Sequence, residues 1–177
     1  MSLNVKYFFR KQLPLNKEMK LFWEINGFLI INDFYSEEEC DELRNRVKIL
    51  VKNFDSSSNR SIFNTKKQKK VEDKYFLDSG DKIRFFFEEG AFNKNGNLNT
   101  KKELSINKIG HAMHDIDPVF KKFSKRKDLD EIAKAINIKL PKLLQSMYIF
   151  KQPKIGGEIV CHQDSTFLYT KPESTVG

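Results

Sequence analysis

An α+β fold, helices first and strands toward the C-terminal end, is what the sequence predicts. Three observations carry that expectation: a capped amphipathic stretch behind Ser36, an alternating run from Lys82 to Glu88, and a block of strand formers after Pro141. A chain of 177 residues can bury a core without disulfide staples, so residues 1–177 read as a single domain.

The elements follow in chain order. Asn16 to Asn26 holds Met19, Phe22, Trp23 and Ile25 and stops at Gly27, the pattern of a short helix closed by a glycine. Phe28-Leu29-Ile30-Ile31 reads as a short apolar strand. Ser36-Glu37-Glu38-Glu39 has the form of a capping box, in which hydroxyl and carboxylate each satisfy the other residue's backbone N–H. Behind it Cys40, Leu43, Val47, Leu50 and Val51 recur at helical spacing. They predict one amphipathic helix from about Glu37 to Lys52, with Cys40 as a small core residue. Residues 55–73 are polar, basic and poor in aliphatics, and read as a loop. Ile83, Phe85 and Phe87 then alternate with Arg84, Phe86 and Glu88, a strand with one strongly apolar face. Asn93 to Asn97 is a turn signal of the hairpin kind. Asp128 and Glu131 repeat the capping pattern ahead of a helical face made by Leu129, Ile132, Ala133 and Ile136. Leu144 to Lys151 is a strand, and Gly156-Gly157 turns the chain into a further strand over 158–164.

Charge and composition narrow the function classes. The excess of 32 Lys and Arg over 24 Asp and Glu gives +8, which invites a nucleic-acid partner. The densest run, Lys66-Lys67-Gln68-Lys69-Lys70, comes without Arg forks, a DNA-binding module or spaced stacking aromatics. The sequence therefore predicts no nucleic-acid partner, the charge being spread over solvated faces. No apolar run approaches the roughly 18 residues of a membrane span. The segment Met1 to Pro14 lacks a signal-peptide core. Two cysteines, Cys40 and Cys161, suit a reducing compartment, so the expected location is cytoplasmic.

Chemistry concentrates in Gly157-Glu158-Ile159-Val160-Cys161-His162-Gln163-Asp164. On a strand His162 and Asp164, two apart, project from one face. An imidazole nitrogen beside a carboxylate oxygen supplies two ligands of a 2-His-1-carboxylate facial triad, a set that suits ferrous iron. The same spacing also fits a hydrogen-bonded His–Asp pair at a strand end, and spacing alone favours that plainer reading.

Three longer segments add context: Tyr75 to Glu88 (YFLDSGDKIRFFFE), Ser105 to His114 (SINKIGHAMH), and Gln145 to Pro153 (QSMYIFKQP) running on to His162-Gln163-Asp164. Together with Gly27-Phe28-Leu29, Phe34 and the capped helix, they resemble the phytanoyl-CoA dioxygenase family, most of all its domain-containing-protein branch. The resemblance implies an iron(II)- and 2-oxoglutarate-dependent dioxygenase that couples decarboxylation of 2-oxoglutarate to C–H hydroxylation. It also implies N-terminal helices packed on a double-stranded β-helix, or jelly roll. Carried over by motif, His162 and Asp164 become metal ligands, and Lys108 and Met147 become contacts to 2-oxoglutarate. A small-molecule or acyl substrate is implied.

The family pattern also needs a distal His and a basic residue, and no His follows His162. The expectation is thus an incomplete jelly roll with unpaired strand edges that could self-associate, the alternative to a dioxygenase being a catalytically inactive remnant or interaction module that pairs through an exposed sheet edge. His111 and His114 are expected to serve local hydrogen bonding or packing.

Overall fold

The computed structural model describes residues 5–63 and 74–177. In chain order the elements are β1 (Tyr7–Phe9), α1 (Lys17–Asn26), β2 (Ile30–Asn32), α2 (Glu37–Asn53), α3 (Lys74–Leu77), β3 (Ile83–Phe87), β4 (Ile106–His111), α4 (Met113–Ile116), α5 (Pro118–Ser124), α6 (Lys127–Ala135) and β5 (Ser146–Ile149). The α+β class holds, with two small sheets, but the expected order of helices first and strands last does not: β1 opens the chain and α4, α5 and α6 fall between β4 and β5. β1 and β2 pair in parallel, and β3-β4-β5 form an antiparallel sheet in that order.

Local chemistry explains the N-terminal helices. Asn16 caps α1 by accepting from Met19 N at 2.9 Å, and Gly27 ends it in the left-handed region at φ 75°. At α2 the capping box is closed in both directions. Ser36 Oγ accepts from Glu39 N at 3.2 Å, and Glu39 Oε2 accepts from Ser36 N at 2.9 Å. α2 then lays Val47 and Val51 against Phe85, Phe87, Ile106, Ile109, Met113 and Phe120, the main core. Burying each such side chain is worth about 2 kcal/mol. A second cluster, Phe8, Leu15 and Met19, packs with Phe22, Ile31, Ile132 and Ile136, tying α6 to the first elements.

Several expectations change in detail. Cys40 is only half-buried and stands outside the core cluster, because the buried stripe of α2 runs through Val47 and Val51. Asp128 does not cap a helix. Arg126 Nε and Nη2 grip its two oxygens at 3.0 and 2.8 Å, so the carboxylate lies inside α6, and the N-cap Arg126 makes no side-chain cap bond. The β3 alternation buries both faces: Phe86 is as hidden as Phe87, at 0% exposure, with Tyr75 and Phe76 edge-on to its ring. The Asn93–Asn97 turn forms, with Asn93 Oδ1 accepting from Asn95 N and Asn97 N. It closes a single Phe92–Leu98 bridge within the long β3–β4 connection.

The loop reading fits residues 55–60, but Ile62 bridges Phe87 at the edge of β3. Residues 64–73, including the Lys66–Lys70 run, lie outside the described residues. Among the described residues no helix is long and apolar enough to cross a membrane.

Candidate functional site

The register of β3-β4-β5 decides which side chains share a face. Arg84 pairs with Gly110 and Gly110 with Met147, while Phe86 pairs with Lys108 and Lys108 with Ile149. Directly opposed residues project to the same side. The opposite face, with Phe85, Ile109 and Tyr148, joins the core. The first face therefore carries Lys108 and Met147 side by side, and Lys108 Nζ stands 3.9 Å from Met147 Sδ. Lys108 is 6% exposed, and its ammonium lies over the Phe63 ring, 3.1 Å from the centroid. Gly110 makes this packing possible, since a Cβ there would stand 3.1 Å from Met147 Cγ.

The positive charge of Lys108 reaches His111. Burial first, and that charge second, lower the His111 pKa from 6.5 to about 4. The Ser79 hydroxyl gives its one hydrogen to Phe76 O, so the 2.7 Å contact between Ser79 Oγ and His111 Nδ1 has the imidazole donating. His114 is buried too, with Nδ1 and backbone N on Ser146 Oγ at 2.7 and 3.0 Å. Both histidines are thus held by local hydrogen bonds, as the sequence reading expects.

His162 and Asp164 come together, though not on a strand. Residues 158–163 form no ladder, and Asp164 opens a 3-10 turn, Asp164–Thr166. The two side chains still meet, His162 Nε2 lying 3.3 Å from Asp164 Oδ1, both half-exposed. The backbone sets the tautomer: Val160 O accepts from His162 Nδ1 at 2.7 Å, which leaves the lone pair of a neutral ring on Nε2. Two lone-pair atoms facing each other at that distance call for a proton or a cation between them. Two donors each about 2.1 Å from a metal ion at a right angle stand about 3.0 Å apart. The pair fits two adjacent positions of a metal, with a backbone carbonyl orienting the ring.

The segment joining β5 to this pair is firmly anchored. Gln152 Nε2 donates to Glu103 O and Ile106 O at 2.8 and 3.0 Å. Gly156 N closes a turn on Gln152 O at 3.1 Å. Gly157 N donates to the Glu88 carboxylate at 3.0 Å. Sequence reasoning missed Glu88, Gln152 and Phe63. The only signal for Glu88 was an acid directly after the Phe85-Phe86-Phe87 run. Among the described residues no group of three or more His, Cys, Asp or Glu is placed to hold a metal ion.

Comparison with known proteins gives a consistent answer. The family model described as Phytanoyl-CoA dioxygenase (PhyH) matches residues 23–177. The chain is 48% identical over 163 residues to "Phytanoyl-CoA dioxygenase 1" of Oryza sativa subsp. japonica, covering 92% of this chain and 57% of that protein. It is 49% identical over 156 residues to "Phytanoyl-CoA dioxygenase" of Arabidopsis thaliana, covering 88% and 55%. To "Phytanoyl-CoA dioxygenase domain-containing protein 1" of Bos taurus it is 43% identical over 152 residues, covering 83% and 52%. The chain thus spans little more than half the length of these relatives.

Proposed function

The chain belongs to the phytanoyl-CoA dioxygenase family, and from that premise we propose an iron(II)- and 2-oxoglutarate-dependent dioxygenase that hydroxylates a C–H bond of a small-molecule or acyl substrate. The observation that carries the reading is the 3.3 Å approach of His162 Nε2 to Asp164 Oδ1, with Nδ1 tied back to Val160 O. His162 and Asp164 would hold the metal, which when bound supplies the means of activating dioxygen.

The remaining roles belong to the sheet face. The Lys108 ammonium offers a charge-assisted hydrogen bond to a carboxylate of 2-oxoglutarate. Met147, 3.9 Å from that ammonium, offers a polarisable surface for the carbons between the carboxylates. Phe63 under Lys108 and the buried Phe86 keep water from the cation, which strengthens its pull on an anion. The three-stranded sheet is, on this reading, part of a jelly roll.

Anaerobic titration of the chain with iron(II) and 2-oxoglutarate tests the proposal. A metal-to-ligand charge-transfer band that grows to near-stoichiometric iron, and is lost in His162→Ala, is the expected result. Indifference of the wild-type chain to both additions would overturn it.

A further inference from the structure

Glu88 is a buried acid that the reading above leaves unused. It follows β3 directly, is 1% exposed, and its backbone N donates to Ser105 O at 2.9 Å, so the strand holds it rigidly. One carboxylate oxygen, Oε2, accepts the Gly157 N–H at 3.0 Å. The other, Oε1, has no hydrogen-bond partner among the described residues. A carboxylate so placed is costly, and an apolar side chain would fill the same space at less expense to stability. What a carboxylate adds is an acceptor aimed at one backbone N–H, and that N–H lies five residues before His162.

The surrounding turn has little freedom to take another path. A Cβ on Gly156 would meet Gln152 O at 2.6 Å, a backbone atom that cannot swing aside. A Cβ on Gly157 would rest 3.5 Å from Glu88 Oε2, ordinary contact, so at Gly157 the hydrogen bond matters and the missing side chain does not. Ile155 packs over Gly90 at 3.8 Å from where a Cβ would be, closing the turn onto the β3 end. The run from Gln152 to Gly157 is therefore fixed to β4 through Gln152 and to the end of β3 through Glu88.

We infer that Glu88 is a positioning residue: by accepting the Gly157 N–H it fixes the path of the segment that carries His162 and Asp164. The inference rests on the metal-ligand reading of that pair. Outer groups that orient metal ligands typically change metal affinity 10–100-fold when removed.

The test compares anaerobic iron(II) affinity, in the presence of 2-oxoglutarate, for the full chain as wild type, Glu88→Leu, Glu88→Gln and Gly156→Ala. Leu fills the space without an acceptor, and Gln keeps an acceptor oxygen for Gly157. The expected result is a 10–100-fold weakening in Glu88→Leu and in Gly156→Ala, with Glu88→Gln within about threefold of wild type. Hydrogen exchange should be faster at Gly157 and through residues 158–164 in Glu88→Leu alone of the two Glu88 variants. A structural role without positioning would lower the melting temperature of Glu88→Leu and leave iron affinity of the folded protein unchanged, which overturns the inference. Equal loss in Glu88→Gln and Glu88→Leu overturns it as well, because the acceptor would not be the cause. A wild-type chain that binds no iron sinks the metal-ligand reading itself, and this inference with it. If Glu88→Leu does not fold, Gly156→Ala decides, wild-type affinity there counting against the inference.

Discussion

At the scale of single residues, burial sets the chemistry. His111 titrates near pH 4 because its ring is buried and faces the Lys108 ammonium, whereas the unfolded chain titrates near 6.5. The folded state therefore binds fewer protons than the unfolded state between those values. Stability is unaffected by this group above about pH 6.5 and falls as the pH drops toward 4, by up to about 3 kcal/mol. Denaturant unfolding of wild type against His111→Gln across that window measures it. The wild type should lose its margin over the variant as the pH falls, and a constant difference would count against the mechanism. Lys108 was named as a candidate through the family motif Ser105 to His114, and an ammonium beside a dicarboxylate is chemically sensible. The Phe63 ring beneath it was hidden, because Phe63 belongs to a stretch whose composition says only loop.

Among the elements, Asp117 joins two helices with one side chain. Oδ1 accepts from Val119 N and Phe120 N at 3.0 and 3.2 Å as the cap of α5, while Oδ2 receives Arg46 Nε of α2 at 2.6 Å. Asp117 is 2% exposed and Arg46 about a third exposed, so the ion pair is only partly screened. Asp117→Ala should cost about 2–4 kcal/mol, the sum of a lost cap and an orphaned guanidinium. Asp117→Asn, which keeps the capping oxygen, should cost about half as much, and chemical denaturation of both variants checks the ranking.

Elements written in local chemistry were readable from the sequence: the Ser36 capping box, the Gly27 helix end, and the β3 strand, though not the burial of both its faces. Those settled by distant partners were not. Arg126 captures Asp128 and removes it as a cap, and residues 158–163 form no ladder. The candidate site divides in the same way. Lys108, Met147, His162 and Asp164 were named through the family motifs, but the Glu88 anchor depends on a contact spanning 69 residues and left no local signature.

For the molecule as a whole, two apolar clusters share one polar seam. Arg126 Nη1 reaches Glu39 of α2 at 2.5 Å, and Arg10 Nη2 stands 3.5 Å from Asp128. The first elements, α2 and α6 are therefore bound into one unit, and its unfolding should be a single transition. Met19→Ala in the smaller cluster and Phe87→Ala in the larger one, both at 0% exposure, should each cost about 3–5 kcal/mol. For a chain of this length that lowers the same thermal midpoint by about 10 °C. Calorimetry checks this, and two separable transitions in either variant would show that the clusters melt independently.

Gly110 has an effect wider than its size. Opposed to Met147 across the β4–β5 ladder, it lets the thioether sink until it nearly touches the main chain. One extra methyl at that point would lift the sulfur like a shim under a shelf, and whatever rests beside the lysine would ride higher with it. The seat of the Met147 side chain on the sheet is thus set by a hydrogen atom in the strand beneath.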